Sequence, residues 1–500
     1  MKTENIGPSL QKLVCLLAFV LLHILSVQAQ ETLFLSNVLQ SNMVVQQNKP
    51  FKIWGTASPD ALVTVAADWC QKVSATADAN GNFVVLIDVP AVKMGDFKPH
   101  TIGVTSGKAD VKLENILIGE VWICSGQSNM QFKVLEDKNA ATELPAANYP
   151  NIRLFYSDLN FSATPIQAIK GKWQACNPET VKNFSAVGYY FGKSLYNSLN
   201  IPIGLVFSGI GASKVEAFLP EETLKSNPIL DSVYLQPYLS SPKSKETVNS
   251  GFSFEKVTRP FLLYNALINP LINLSIKGFC WYQGEGNRME RASYTLATQM
   301  LIKSWRKKFA QGELPFYYVQ VAPYFYDKED PTLADYAFFR ESQEKVSEIN
   351  NTAMVVSMDV GEAKDLHPKS KRPLGIRLAK TALNRTYGLD TAVYQGPRYK
   401  YLEVKGKTAI IHFAELGLGT GLNTNDQSAP KFFTLAGADQ KFYDASARIE
   451  GNTVVLSSDK VKKPVAVRYA FTNYPVTNFQ NKEGLPAFPF RTDDWPEPKP

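Results

Sequence analysis

Three rhythms of apolar and polar residues follow one another along the chain. From about Glu31 to Asn115 the apolar runs are short: PFKIWGTA, ALVTVAAD and NFVVLIDV are strand-like, and Asn80-Gly81 is a hairpin turn signal. No helical period interrupts them, so a small β-sandwich is expected here. At Ile116 the pattern changes. Mostly apolar runs (EVWICS, NIRLFYS, IGLVFSG, IKGFCWYQ, LPFYYVQVA and TAMVVSMDV) now alternate with amphipathic stretches near 187–199, 288–309, 334–348 and 373–387. Apolar strands alternating with helices predict a parallel sheet covered on both faces. The working site of such a sheet lies beyond the carboxyl ends of its strands. Within this part, the polar, turn-rich segment 240–251 reads as a surface insertion. From about Val393 the strand grammar returns in KTAIIHFAE, KFFTLAG and NTVVLSS, and the chain ends in a Pro-rich tail.

The first residues form a separate pattern. Lys2 and Lys12 precede an apolar stretch at 13–27, and Val27-Gln28-Ala29 supplies small residues for cleavage. A membrane-spanning helix needs about 20 apolar residues, and this run is shorter. A signal peptide over 1–29 is therefore expected, with an exported mature chain that has no membrane association. The predicted layout is then a β-sandwich over 30–115, an α/β catalytic domain over 116–390 and a β-rich region over 391–500. Hydrophobic residues make up 45% of the chain and charged residues 20%, which excludes disorder as its main state. The net charge of +7 is spread along the chain rather than gathered in a block, so nucleic acid is not an expected partner. Cys70, Cys124, Cys176 and Cys280 remain after cleavage. Cys124 and Cys280 lie in apolar runs that suit buried thiols. No C-x-x-C and no His pair at ligand spacing occurs, so neither a metal nor a cofactor is expected.

Two phosphate-loop look-alikes fail on spacing. GYYFGKS is one residue too short, and SGIGASK carries Lys214 where the dinucleotide fingerprint needs its third Gly. Ser128, in CSGQSNM, is more informative, because it follows the strand EVWICS where a nucleophile would be presented. On residue type alone, Ser128 or Asn129 capping the next helix is the favoured reading, and Met130 breaks the G-x-S-x-G elbow. A serine nucleophile needs a base. With His23 in the signal segment, His100, His367 and His412 remain. His100 lies in the first β region and His412 within a strand. His367 follows TAMVVSMDV, with Asp365 two residues earlier to orient an imidazole. Two further strand ends offer oxyanion donors: the backbone N–H of Gly211 and the side-chain amide of Gln283. Glu285 beside Gln283 reads as a loop buttress or a second acid. Four strand ends with complementary roles favour acyl transfer.

SGQSNM, GASKVEAF, WYQGEGN and DLHPKSK, in this order, resemble the sialate O-acetylesterases, a branch of the SGNH hydrolases. The resemblance implies an SGNH-hydrolase (flavodoxin-like) fold, Ser128 as nucleophile, His367 as base and Asp365 as orienter. It also implies an oxyanion hole from the N–H groups of Ser128 and Gly211 and the Gln283 amide. Asn129 and Glu285 would support them. Two departures stand out: Lys364 occupies the position three before the His, and Gly211-Ala212-Ser213 stands where members often read G-G-T. The implied substrate is an O-acetylated sugar: sialic acid, or a polysaccharide such as acetylated xylan. A carboxylated sugar would favour an Arg near the pocket, and Arg340 is the candidate. A non-catalytic carbohydrate-binding protein is the alternative of another class.

Overall fold

The computed structural model describes residues 32–326, 328–389 and 393–497, so the expected signal peptide lies outside the described residues. Strands Leu33–Leu35, Pro50–Ala57 and Asn82–Asp88 form one antiparallel sheet. Leu62–Ala67, Val73–Thr76 and His100–Ser106 form a second antiparallel layer, which continues into a long strand, β1 (Ala109–Gly126). Phe51, Ile53 and Val85 of the first layer share a core with Val63, Val65, Ile102 and Val104 of the second.

The junction expected at residue 116 falls inside β1. Asn115 there takes a left-handed backbone (φ 55°), and the pairing with His100–Ser106 slips between His100 and Ile102. Asparagine tolerates that conformation better than most residues, and a bulge bends and twists its strand. Asn115 also donates to Asn42 Oδ1 at 2.7 Å and accepts from Arg153 at 3.2 Å. One strand thus leaves the N-terminal layer and enters the next sheet without a break.

That sheet contains β2 (Tyr149–Ser157), β3 (Gly171–Cys176), β4 (Ile203–Phe207), β5 (Gly278–Tyr282), β6 (Phe316–Val319) and β7 (Thr352–Val355), in the order β3-β2-β4-β1-β5-β6-β7. Every neighbouring pair is parallel except β3 with β2. Helices α1 (Ser128–Gln131), α2 (Ala186–Leu199), α3 (Ala292–Phe309), α4 (Asp335–Glu344) and α5 (Arg372–Arg385) follow in chain order. The period-two rule sorts the strand side chains. Trp122, Cys124, Cys280, Tyr282, Tyr317 and Val319 pack with Val187 and Phe191 of α2 and Leu374 and Leu378 of α5. Their neighbours Val121, Ile123, Phe279, Trp281, Phe316 and Tyr318 pack with Leu301, Trp305 and Phe309 of α3 on the opposite face. Strands flanked by apolar layers on both sides have no polar face, which is why the sequence runs are continuous rather than alternating.

Antiparallel sheets follow. Tyr399–Lys405, Thr408–Phe413, Thr453–Ser457 and Ser446–Glu450 form one, and Phe442–Asp444, Phe433–Ala436, Ala466–Tyr469 and Phe490–Arg491 another. The architecture is a mixed parallel and antiparallel sheet with strand-rich regions on either side in sequence. Among the described residues, no helix is long and apolar enough to cross a membrane.

Candidate active site

The loops after β1, β4 and β5 are stitched together at the carboxyl edge of the sheet. Gln127 N–H donates to the Tyr282 carbonyl at 3.0 Å, Ile210 N–H to the Gly126 carbonyl at 3.1 Å, and Gly284 N–H to Gln127 Oε1 at 3.1 Å. Gly126 makes this approach possible. Its φ is 136°, and a Cβ there would stand 2.2 Å from the Tyr282 carbonyl oxygen. The turn launches α1 with Ser128 as first residue. A first helical residue has no intrahelical acceptor for its N–H, so that donor is left beside the hydroxyl.

His367 arrives from the loop after β7. Its Nε2 lies 2.8 Å from Ser128 Oγ, although the two residues are 239 positions apart. The other described histidines are engaged elsewhere. His100 Nδ1 is 2.7 Å from Asp68 Oδ1, and His412 stacks on Tyr401 with Nε2 3.1 Å from Glu403. Asp365 Oδ1 accepts the His367 backbone N–H at 2.8 Å, while His367 Nδ1 lies 3.9 Å away. The carboxylate therefore shapes the loop and faces the imidazole, beyond direct hydrogen-bond range of Nδ1. Burial lowers the His367 pKa below its ordinary 6.5, helped by the positive charge of Lys371; Asp365 and Glu136 oppose the shift. A neutral imidazole is the form that accepts a serine proton. Ser128, His367 and Asp365 line a cavity of about 640 Å³ with Gln131, Phe132, Lys133, Glu136 and Lys369.

Gly211 stands beside Ser128: a Cβ on it would lie 3.3 Å from Ser128 Cβ. Its N–H donates to Gln131 Oε1 at 2.8 Å, and Gln131 Nε2 donates to the Tyr156 hydroxyl at 3.0 Å. Gln131, absent from the sequence-derived site, thus places an amide oxygen on the expected oxyanion donor. Gln283 departs from expectation. It is wholly buried, and its amide donates to the Ser213 carbonyl at 3.2 Å and to Asn287 Oδ1 at 2.7 Å. Asn287 in turn donates to Glu216 and Glu290. Both amide hydrogens are spent on this network, so Gln283 braces the loop and offers no donor toward Ser128.

Arg340 also departs from expectation. It is fully buried in α4 and donates to the carbonyls of Thr472 and Asn473. It clamps the chain before the last strands and lies outside the cavity lining. Asn129 and Glu285 lie behind Ser128. Asn129 Nδ2 donates to Glu285 Oε1 at 2.5 Å and to the Leu366 carbonyl at 3.1 Å. Its Oδ1 accepts from Lys371 Nζ at 2.5 Å. Nothing in the sequence set Lys371 apart from Lys364 and Lys369, yet it alone of the three is fully buried. Among the described residues, no cluster of three His, Cys, Asp or Glu side chains is placed to hold a metal.

Comparison with known proteins adds to this geometry. A family model described as carbohydrate esterase, sialic acid-specific acetylesterase, matches residues 247–384, the span that carries Asp365 and His367. The chain is 29% identical over 511 residues to a sialate O-acetylesterase of Mus musculus, covering 90% of this chain and 92% of that protein. It is 28% identical over 515 residues to a sialate O-acetylesterase of Homo sapiens, covering 91% of each. The structure of a carbohydrate acetylesterase from Xanthomonas citri is similar throughout, with a TM-score of 0.81 and 32% identity over 93% of this chain and 100% of that one.

Proposed function

The chain belongs to the sialate O-acetylesterase family of carbohydrate esterases, and from that premise we propose that Ser128 and His367 remove O-acetyl groups from a sugar, with O-acetylated sialic acid as substrate. The observation that carries this reading is the 2.8 Å contact between Ser128 Oγ and His367 Nε2 on the wall of an open cavity. Ser128 Oγ attacks the acetyl carbonyl carbon while His367 Nε2 takes the hydroxyl proton. The developing oxyanion accepts from the N–H groups of Ser128 and Gly211, displacing the Gln131 amide oxygen that now occupies the second donor. Collapse breaks the bond to the sugar oxygen, and His367 returns its proton to that leaving group. Water, deprotonated by His367, then attacks the acetyl-enzyme and releases acetate and free serine. Asp365 stabilises the imidazolium from 3.9 Å and holds the loop that carries it.

The strand order and the four site loops at one sheet edge support an SGNH-hydrolase (flavodoxin-like) catalytic domain over 116–390, between a β-sandwich over 30–115 and a β-rich region over 391–500. The 1–29 pattern supports export, to a periplasm or outside the cell. A second reading, an acetylated polysaccharide as substrate, draws on a neighbouring cavity of about 720 Å³ that shares Lys133 with the first. Acetate release from O-acetylated sialic acid and from acetylated xylan, measured side by side, decides between the two substrates. Ser128→Ala should abolish release from either while leaving the melting temperature unchanged. Retention of near-full activity by that variant would overturn the nucleophile assignment.

A further inference from the structure

Behind the nucleophile lies a charged cluster that the acyl-transfer steps do not use. Lys371, the residue before α5, is held at both ends. Its backbone N–H donates to Asp137 Oδ2 at 2.9 Å, and its Nζ donates to Asn129 Oδ1 at 2.5 Å. The ammonium group lies 4.5 Å from the centre of the Phe132 ring and 5.8 Å from that of Tyr282. Lys371 is fully buried, and Glu285 nearly so. A lysine withdrawn this far from water costs stability unless its contacts compensate, so its placement calls for a reason beyond packing. The reason lies in what Asn129 joins. Asn129 follows the nucleophile directly, and its amide bonds the carbonyl of Leu366, the residue before the base. Its remaining hydrogen goes to Glu285 in the loop after β5.

We propose that Lys371 is a positioning residue for the acyl transfer: through Asn129 it locks the serine-bearing helix to the histidine-bearing loop and holds a positive charge behind the imidazole. This inference rests on the reading of Ser128 and His367 as the reacting pair. The groups facing the ammonium are Glu285 from the loop after β5, Asp137 from the segment after α1, and Asp365 and Glu362 from its own loop. Burial pulls the Lys371 pKa down to about 7, and those carboxylates hold it up. Below that pH Lys371 gains its charge, so a positive neighbour stands by His367 on the acid side of its titration. A positive neighbour disfavours the imidazolium, which keeps His367 available as a base in mildly acid solution.

The test uses Lys371→Met, which removes both the charge and the tie to Asn129, and Lys371→Gln, which removes the charge but keeps an N–H donor. The histidine titration is read by NMR on protein labelled at the imidazole carbons. Only four histidines occur in the chain, so His367 is assignable by its loss in His367→Asn. Both variants should show a His367 pKa above that of the unaltered protein. Lys371→Met should lower kcat about 10²-fold with KM within about twofold, the scale expected when reacting groups are misplaced by about an ångström. Lys371→Gln should recover part of that loss. Folded variants with an unchanged His367 titration and unchanged kcat would overturn the proposal. So would failure of both variants to fold, which would make Lys371 a residue of the fold alone. The titration needs no substrate, so a protein that releases no acetate would sink the esterase reading while Lys371 is still tested.

Discussion

Replacing Gln283 by alanine separates two roles that one side chain cannot hold at the same time. In the structure its amide hydrogens go to the Ser213 carbonyl and Asn287 Oδ1, while its own Oε1 is buried without a partner. Truncation would leave two buried acceptors short of a donor, at about 1–3 kcal/mol each, and remove one buried unpaired oxygen, which returns a similar amount. Asn287 Oδ1 keeps the Val215 N–H at 3.0 Å, which limits its share of the cost. With the small cavity added, the net expectation is a destabilisation of about 2–3 kcal/mol. For a chain of 500 residues that corresponds to a fall of roughly 2–3 °C in melting temperature. Turnover per folded molecule, read as acetate release at a temperature where the variant is fully folded, should stay within about tenfold of the unaltered protein. An oxyanion donor behaves differently: its removal costs about 10²–10³ in kcat. A Gln283→Ala variant with an unchanged melting temperature and a kcat loss of that size would refute the bracing role.

Three further outcomes follow from the same geometry. Asp365→Ala should lower kcat by about 10–10²-fold, well short of the roughly 10⁴ seen when a directly bonded triad carboxylate is lost, because the carboxylate is 3.9 Å from Nδ1 and half exposed; a 10⁴-fold loss would place a direct bond in the working enzyme. Since the His367 pKa is lowered and its neutral form is the proposed base, kcat/KM should hold as pH falls through 6.5 and decline only below it; a pH profile whose acid limb lies at or above 6.5 would contradict the burial argument. Arg340→Met should destabilise by about 2–4 kcal/mol, from the carbonyls it leaves unpaired, and leave KM for acetylated sialic acid unchanged; a raised KM at full stability would return Arg340 to the substrate.

Sequence alone determined the elements and the places where chemistry could gather. Unbroken apolar strands alternating with helical periods force a sheet buried on both faces, and the helices expected near 187–199 and 373–387 occur as α2 and α5. Such a sheet brings its strand ends to one edge, so Ser128, Gly211 and His367 were legible as neighbours before any coordinates. The helix expected from 288 begins at Ala292 instead, after a turn at Glu285–Asn287. There Asn287 is committed to Glu216 and Glu290, a network no periodicity reveals. Tertiary structure decided which polar side chains face Ser128. Gln283 is turned away by acceptors on neighbouring loops, Arg340 is drawn to carbonyls more than 130 residues distant, and Lys371 is buried by an asparagine 242 positions earlier. A hydrogen bond between distant segments depends on where the whole sheet brings their ends. Local sequence can name the donor, but only the assembled fold supplies the acceptor.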